Sequence, residues 1–240
     1  MWVLRIFFFI LLAQYIIGPI LIYFIQKFPI KYNLTKSSDE VFLNKQNIQF
    51  QQMHQQIQTN NFIYVGSSLL KISTTNTYFS IYRNDSIPCT CTLSTVSTQG
   101  KFSTQIEFTQ MYEDGSVTNV NNNPLIDVFP KTSKKISFRF AKMNDFNKLL
   151  DSAEKLFNLV NKAKLTKNLE GNEFGAIETF LNEELQFLIQ RGWLSSKERN
   201  NQYHLTLKGA VLLTWQLCFP VKQFLSYKDS KYSREWLNSV

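Results

Sequence analysis

Few side chains in this 240-residue chain are of types that do chemistry, and their spacing is the first evidence on function. Cys89 and Cys91 stand two residues apart in a stretch that reads as β-strand, so both would project from one face of it. Such a thiolate pair can bind zinc, and Cys218 and His204 could complete the ligand set. The lone C-x-C lacks the paired spacing of recognised zinc sites, so we predict no metal site and no cofactor.

The remaining catalytic patterns are isolated. Ser68-Leu69-Leu70-Lys71 matches S-x-x-K, the nucleophile motif of penicillin-binding proteins and serine β-lactamases, but Lys131-Thr132-Ser133 lacks the glycine of K-T-G and no S-D-N occurs. Glu183 and Glu184 are neighbours that point different ways on a helix. His54 stands alone among glutamines, where we expect a solvated helical position. The sequence therefore predicts a protein that is not an enzyme.

The longest apolar run lies near the start, over Trp2–Ile25. Between Ile6 and Ile25 the only strongly polar residue is Gln14, and a helix of this length spans about 30 Å of hydrocarbon. We predict a single transmembrane helix, with the lipid bilayer as a partner; the alternative is a buried helix of a soluble protein. Four lysines follow the run, so the positive-inside rule puts the body in the cytoplasm: Lys27, Lys31, Lys36 and Lys45.

The composition of the whole chain narrows the classes of protein it can belong to. Its 44% hydrophobic content is enough for a packed core. The net charge of +8 fits nucleic acid, anionic lipid or only a basic surface, and the scattered lysines favour the last. Three cysteines are too few, and odd in number, for a disulfide framework.

The sequence pattern in the middle of the chain predicts one helix followed by a sheet. Ser37 to Glu40 has the S-x-x-E form of a capping box, and a spacer helix to about Gln58 would carry Val41, Ile48, Met53 and Ile57 on its apolar face. From Phe62 to Phe140, short segments rich in β-branched and aromatic residues predict an antiparallel meander. Asp114-Gly115 predicts a hairpin turn, and the segment from Asn121 to Lys135 an irregular loop.

Helical periodicity returns after Asn144. An apolar stripe indicates a helix covering the meander: Phe146, Leu149, Leu150, Ala153, Leu156, Phe157, Val160 and Ala163. A second helix is predicted over about Phe174 to Arg191, with Gly192 as its C-terminal cap. Its inward residues would be Ile177, Leu181, Leu185 and Leu188.

Residues 174–219 resemble the second half of a winged helix-turn-helix domain, because Leu188 to Leu194 is followed by a polar segment and then by Tyr203-His204-Leu205-Thr206-Leu207-Lys208-Gly209. The resemblance implies a helix, a two-stranded wing with its tip at Ser195 to Asn201, and a further helix. Contacts to a protein partner or to nucleic acid would come from Arg191, Lys197, Arg199 and Tyr203. Four glutamates on the preceding helix would repel phosphates, which favours a protein partner: Glu173, Glu178, Glu183 and Glu184.

The last segment mixes aromatic and basic residues. This mixture suits a membrane-surface contact through Lys222, Phe224, Lys228 and Trp236. An ordinary frayed tail is the alternative, and we favour it slightly.

Together these features predict an α+β protein with an N-terminal single transmembrane helix, an antiparallel β-meander packed by helices, and a C-terminal winged-helix-like unit. The predicted segments are an anchor (1–28), a polar exit and spacer helix (29–60), a meander domain (61–165) and a winged-helix-like region with its tail (166–240). The layout resembles uncharacterised single-span bacterial membrane proteins with an E-F-x-x-x-Y-x-D-G hairpin, Glu107 to Gly115 in this chain. The predicted function is a membrane-anchored protein-interaction or scaffold module; the alternative is a membrane-bound winged-helix DNA-binding regulator.

Overall fold

The computed structural model describes residues 2–37, 42–43, 46–72, 75–98, 101–160 and 164–239. The helices are α1 (Trp2–Ile25), α2 (Ile48–Thr59), α3 (Phe146–Val160), α4 (Glu173–Gln190), α5 (Leu207–Leu217) and α6 (Val221–Asn238). The strands are β1 (Lys27–Pro29), β2 (Ile63–Ile72), β3 (Thr75–Asn84), β4 (Cys89–Thr98), β5 (Lys101–Met111), β6 (Val117–Asn121), β7 (Lys135–Arg139) and β8 (Gln202–His204). The predicted α+β class is confirmed.

The chain divides into two compact units. Unit 1 comprises residues 1–32, 126–130 and 180–228, and unit 2 comprises residues 33–125, 131–179 and 229–240. Both are assembled from segments that are distant in sequence, so the division differs from the four consecutive segments predicted above. In particular, α1 belongs to the same unit as the residues after α4.

Unit 2 contains a six-stranded sheet in the order β2-β3-β4-β5-β6-β7. Strands β2 to β6 form the predicted antiparallel meander, and the β5–β6 hairpin turns at Gly115, which has a φ of +74°. The last pair differs from the prediction, because β7 runs parallel to β6. The loop before β7 returns the chain to the end of the sheet where β6 begins, and Val117 N donates to Lys134 O at 2.8 Å.

Helices α2 and α3 pack on this sheet and enclose the core of unit 2. The predicted stripe of α3 is buried as far as Phe157, and Val160 is partly buried. Ala163 lies outside the described residues. Because the stripe recurs every three or four residues, one side of α3 enters the core while the other stays in solvent.

Helix α2 begins later than predicted, and of its predicted apolar face Ile57 and Met53 pack into the core whereas Ile48 does not. Its N-cap is Asn47, whose Oδ1 accepts from Phe50 N at 2.8 Å. Phe50 and Ile57, seven residues apart and therefore on one side of the helix, are buried, whereas Ile48 is 73% exposed. Val41 and residues 38–40 of the predicted capping box lie outside the described residues. The larger Phe50 side chain takes the inward place that we predicted for Ile48.

The end of α6 covers β7, which is one of the two edge strands of the sheet. Arg139 N, on β7, donates to Ser233 Oγ at 2.8 Å. The ring of Phe138 stacks on Tyr232 with centroids 5.8 Å apart and packs against Trp236 at 5.6 Å. The predicted frayed tail is therefore wrong, since aromatic packing and an edge-strand hydrogen bond fix this part of the helix.

Unit 1 is built around the α1–α5 pair and a small sheet. Strand β1 pairs antiparallel with β8, and Phe28 lies opposite Tyr203. The Phe28 ring packs against Phe129 with a centroid distance of 5.6 Å, and Phe129 packs against Trp193 at 5.8 Å. These aromatic contacts join three segments of the unit that are far apart in sequence.

The predicted transmembrane anchor is wrong. Within the described ranges, none of the helices has both the length and the apolar character that a bilayer crossing requires. The run Trp2–Ile25 does form α1, but one side of that helix is occupied by protein: a Cβ on Gly18 would lie 2.7 Å from Thr214 Cγ2 of α5. The predicted single-pass membrane localisation is wrong for the same reason. The cytoplasmic orientation inferred from the flanking lysines assumed a membrane-spanning helix, so it is no longer supported.

Candidate functional site

The residues predicted as a wing form a narrow hairpin after α4. Gly192, with a φ of +71°, ends the helix, and Trp193 N turns back to donate to Leu188 O at 2.9 Å. Leu194 then bridges Leu205, and Ser195 N donates to His204 O at 2.8 Å. The tip reverses at Asn200 and Asn201, both of which have positive φ. The hairpin therefore starts at the C-terminus of α4 and leads into α5.

Thr206 joins the base of this hairpin to α5. Its Oγ1 accepts from Gly209 N at 2.9 Å as the N-cap and donates to Gly192 O at 2.6 Å. Gly209 lies so close to the start of the hairpin that a Cβ there would be 2.9 Å from the carbonyl carbon of Trp193 and nearer still to its oxygen. Only glycine permits this approach, so the motif residues Thr206 and Gly209 have a direct structural role.

The predicted partner-contact residues do not share one environment. Arg191, Lys197 and Arg199 are exposed around the hairpin, whereas Tyr203 is buried. The Arg191 guanidinium lies over the Phe187 ring at 5.1 Å. The three basic side chains could therefore contact a partner, whereas the Tyr203 side chain is buried within unit 1.

The residues predicted to touch a membrane surface lie along α6. Phe224 and Lys228 are exposed, Lys222 is half-buried, and Trp236 packs on Phe138 as described above. Trp236 therefore has a partner within unit 2.

The sequence did not reveal the apolar surface that α1 exposes. The side of α1 that contacts α5 carries Tyr15, whose ring lies 5.3 Å from Trp215 and whose hydroxyl donates to Phe219 O at 2.7 Å. Gln14 Nε2 donates to the same carbonyl at 3.1 Å. These bonds pair the polar side chains of Gln14 and Tyr15 within unit 1, whereas the opposite side of α1 carries large exposed apolar side chains.

We define the apolar seam by seven residues on that opposite side: Trp2, Ile6, Phe9, Ala13, Ile17, Ile20 and Phe24. They recur at three- and four-residue steps, so they lie along one side of the helix. Six of the seven are exposed large hydrophobic residues, with Trp2 78% and Phe9 74% exposed, and Ala13 between them is half-buried. The spacing is present in the sequence but hidden there, because nearly every other position of the run is also apolar.

Unit 2 contains a polar cleft of about 330 Å³ beside Arg83. The guanidinium pairs with Asp85 at 2.9 Å, Glu170 at 3.2 Å and Glu173 at 3.4 Å. Desolvation lowers the pKa of Arg83, but the Glu170, Asp85 and Glu173 carboxylates outweigh it and leave the pKa raised. One guanidinium thus faces three carboxylates, and these ion pairs tie the 170–173 segment to β3.

The thiols of unit 2 are poor nucleophiles and poor metal ligands in the folded chain. Burial, with a smaller contribution from the Glu154 charge, raises the pKa of Cys89 to about 12, and burial also raises the pKa of Cys91 well above its ordinary value. In the part of the chain that the structure describes, no three His, Cys, Asp or Glu side chains are grouped to hold a metal ion. Ser68 of the S-x-x-K pattern is buried on β2 and donates to Thr35 O at 2.8 Å.

His54 lies in a hydrogen-bonded network and is not the solvated side chain we predicted. Its Nδ1 lies 2.6 Å from the hydroxyl of the buried Tyr82, and its ring packs edge-on against Tyr64. Hydrogen bonds of 2.6 Å also join the hydroxyl of Tyr64 to that of Ser67, and the hydroxyl of Ser67 to that of Ser80. Desolvation lowers the pKa of His54, so the neutral ring is favoured.

No protein-family model matches this chain, and no curated protein or solved structure does. The resemblance of residues 174–219 to a winged helix-turn-helix domain therefore stays a prediction.

Proposed function

We propose that this protein is a non-enzymatic protein-interaction module that binds its partner through the apolar seam of α1. The exposure of the seam is the observation that carries this proposal. Monomeric proteins rarely expose a contiguous apolar patch of more than a few hundred Å², and a larger patch marks a binding surface. Trp2, Phe9 and Phe24 supply aromatic side chains of the kind that dominate binding energy at protein interfaces.

The surroundings of the seam support a rigid binding surface. Behind it, α1 is held by α5 through Gly18 against Thr214 and by the hydrogen bond from Tyr15 to Phe219. Helix α5 is in turn fixed to the hairpin by Thr206. A surface held in this way loses little conformational entropy when a partner binds, which favours affinity.

Photo-crosslinking in intact cells tests this function. A photoreactive phenylalanine analogue at Phe9 should give a covalent conjugate with a second polypeptide, because Phe9 lies at the proposed interface. The same analogue at Tyr15 is the control, since Tyr15 already packs against Trp215 within its own chain. If Phe9 and Tyr15 both give no conjugate, the seam is not an interface and the proposal fails.

Nucleic-acid binding is the second candidate, and the exposed Lys197 and Arg199 of the hairpin favour it. Glu183 and Glu184 on α4 oppose it, because carboxylates repel phosphates. A salt-dependent mobility shift of duplex DNA by the full chain, lost in K197A/R199A, would support this candidate. A shift that the double variant retains would exclude the hairpin as the contact.

A further inference from the structure

We infer that the partner of the apolar seam is a second copy of this chain, bound with the two α1 helices antiparallel and crossing at Ala13. This inference rests on the proposed function and names its partner. In this arrangement each seam covers the other, so both copies bury the same residues. Such a two-fold contact is the commonest form of assembly among soluble oligomers.

The spacing of the seam is symmetric about Ala13, which is the first argument for this arrangement. Trp2, Ile6 and Phe9 precede Ala13 by 11, 7 and 4 residues, and Phe24, Ile20 and Ile17 follow it by the same intervals. In an antiparallel pair centred on Ala13, each residue of the first set therefore meets its counterpart in the second. Trp2 would meet Phe24, Ile6 would meet Ile20, and Phe9 would meet Ile17.

The small side chain at the centre is the second argument. Two helices approach most closely where they cross, and small residues there allow close backbone contact. Ala13 is the one small residue among the seven of the seam, and it occupies the central position. The bulkier side chains lie toward the two ends, where the separating helix axes leave more room.

The area of the seam matches what a stable dimer needs. With a full side-chain area of about 150–250 Å² for each aromatic residue and a similar value for isoleucine, the exposed parts of the seam amount to about 800 Å² per copy. A standard protein interface buries about 800 Å² per partner. Complete coverage of the seam in both copies would therefore bury the area of a standard interface.

Charge favours the antiparallel pairing over the parallel one. No Asp, Glu, Lys or Arg occurs from Ile6 to Ile25, so Arg5 is the nearest charge. A parallel pair would place the two Arg5 side chains at the same level. In the antiparallel pair they lie about 24 Å apart along the axis.

Disulfide trapping of the full chain tests the orientation. I6C and I20C are prepared separately in a C218S background, so that Cys89 and Cys91, which are buried, are the remaining native thiols. On mild oxidation, a mixture of the two variants should give a disulfide between position 6 of one copy and position 20 of the other, and neither variant alone should give a dimer. Dimers of I6C alone and of I20C alone would indicate a parallel pair and would overturn the inference.

Analytical ultracentrifugation of the full chain, with a matched pair of variants, tests whether the partner is a second copy. Ile20 and Leu21 are both 53% exposed, but only Ile20 lies on the seam. I20R should weaken dimerisation by about 30-fold or more, as loss of an interface hot spot does, and L21R should leave a dimer. A wild-type chain that sediments as a monomer overturns the inference, as does equal weakening by both variants.

The two proposals fail in distinguishable ways. If the Phe9 conjugate contains only peptides of this chain, both stand. If it contains another protein and the chain sediments as a monomer, the module function stands and the second copy is excluded. If no conjugate forms, both fail.

Discussion

Replacing Gly209 by alanine tests the close contact between the hairpin and α5 on which unit 1 depends. In an ordinary helix this change is favourable, because glycine costs about 0.5–1 kcal/mol relative to alanine. At Gly209 the new Cβ would lie 2.9 Å from the carbonyl carbon and 3.0 Å from the Cα of Trp193. Those are backbone atoms, which no side-chain rotation can move aside, so we expect the sign of the effect to reverse.

The size of the loss follows from what must move. Overpacking of this kind costs about 1–3 kcal/mol. Trp193 O also accepts from Thr206 N at 2.9 Å, so moving the strand weakens that bond, which adds about 1 kcal/mol. After subtracting the helix-propensity gain, we expect G209A to lower the free energy of unfolding by about 1–3 kcal/mol. For a unit of under 100 residues this lowers Tm by about 5–20 °C.

Thermal and urea unfolding of G209A, followed by circular dichroism and tryptophan fluorescence, measure this loss. The matched control is G175A on α4, where the obstacle is the end of the Asn172 side chain, with Cγ at 3.3 Å. A flexible side chain can rotate away, so G175A should change stability by less than about 1 kcal/mol. If G209A is as stable as the wild type or more so, the close approach of α5 to Trp193 is refuted.

Two further predictions concern unit 2. I57A should lower the free energy of unfolding by about 2–5 kcal/mol because Ile57 is fully buried, whereas I48A should change it by less than about 0.5 kcal/mol; similar effects in urea titrations would refute the observed orientation of α2. The second prediction concerns pH. Desolvation lowers the folded-state pKa of His54 below its ordinary value of 6.5. The stabilising contribution of the neutral ring is therefore complete above pH 6.5 and is lost as the pH falls through the folded-state pKa. The denaturation midpoint should therefore fall with acidification below pH 6.5, and less steeply in H54Q; identical pH profiles for the two proteins would exclude His54 as the cause.

Local patterns predicted most of unit 2. Alternating β-branched and aromatic residues located the strands, Asp114-Gly115 located a turn, and the stripe from Phe146 to Phe157 located α3. These features depend on residues close together in the sequence, so local sequence patterns are enough to predict them. The parallel entry of β7 depends on the route of a loop that has no periodic signal.

Unit 1 was harder to predict because its contacts join distant segments. Lys27 pairs with His204 across most of the chain, and a three-residue strand leaves almost no pattern to detect. Most positions from Trp2 to Ile25 are apolar, so hydropathy could not reveal that Tyr15 and Gly18 face α5 while Phe9 and Ile20 do not. The seam became visible only when the packed side of the helix was known.

The contact between Ser233 and β7 also bears on how the protein can be shortened or tagged. An edge strand with open backbone donors is a template for pairing with strands of other molecules, and many proteins shield such edges to avoid aggregation. Here the shield is the last stretch of the chain, since the Ser233 hydroxyl accepts from Arg139 N and the Tyr232 and Trp236 rings lie against Phe138. Truncation before Ser233 would therefore expose the edge of β7, and strands of other molecules could then pair with it and cause aggregation.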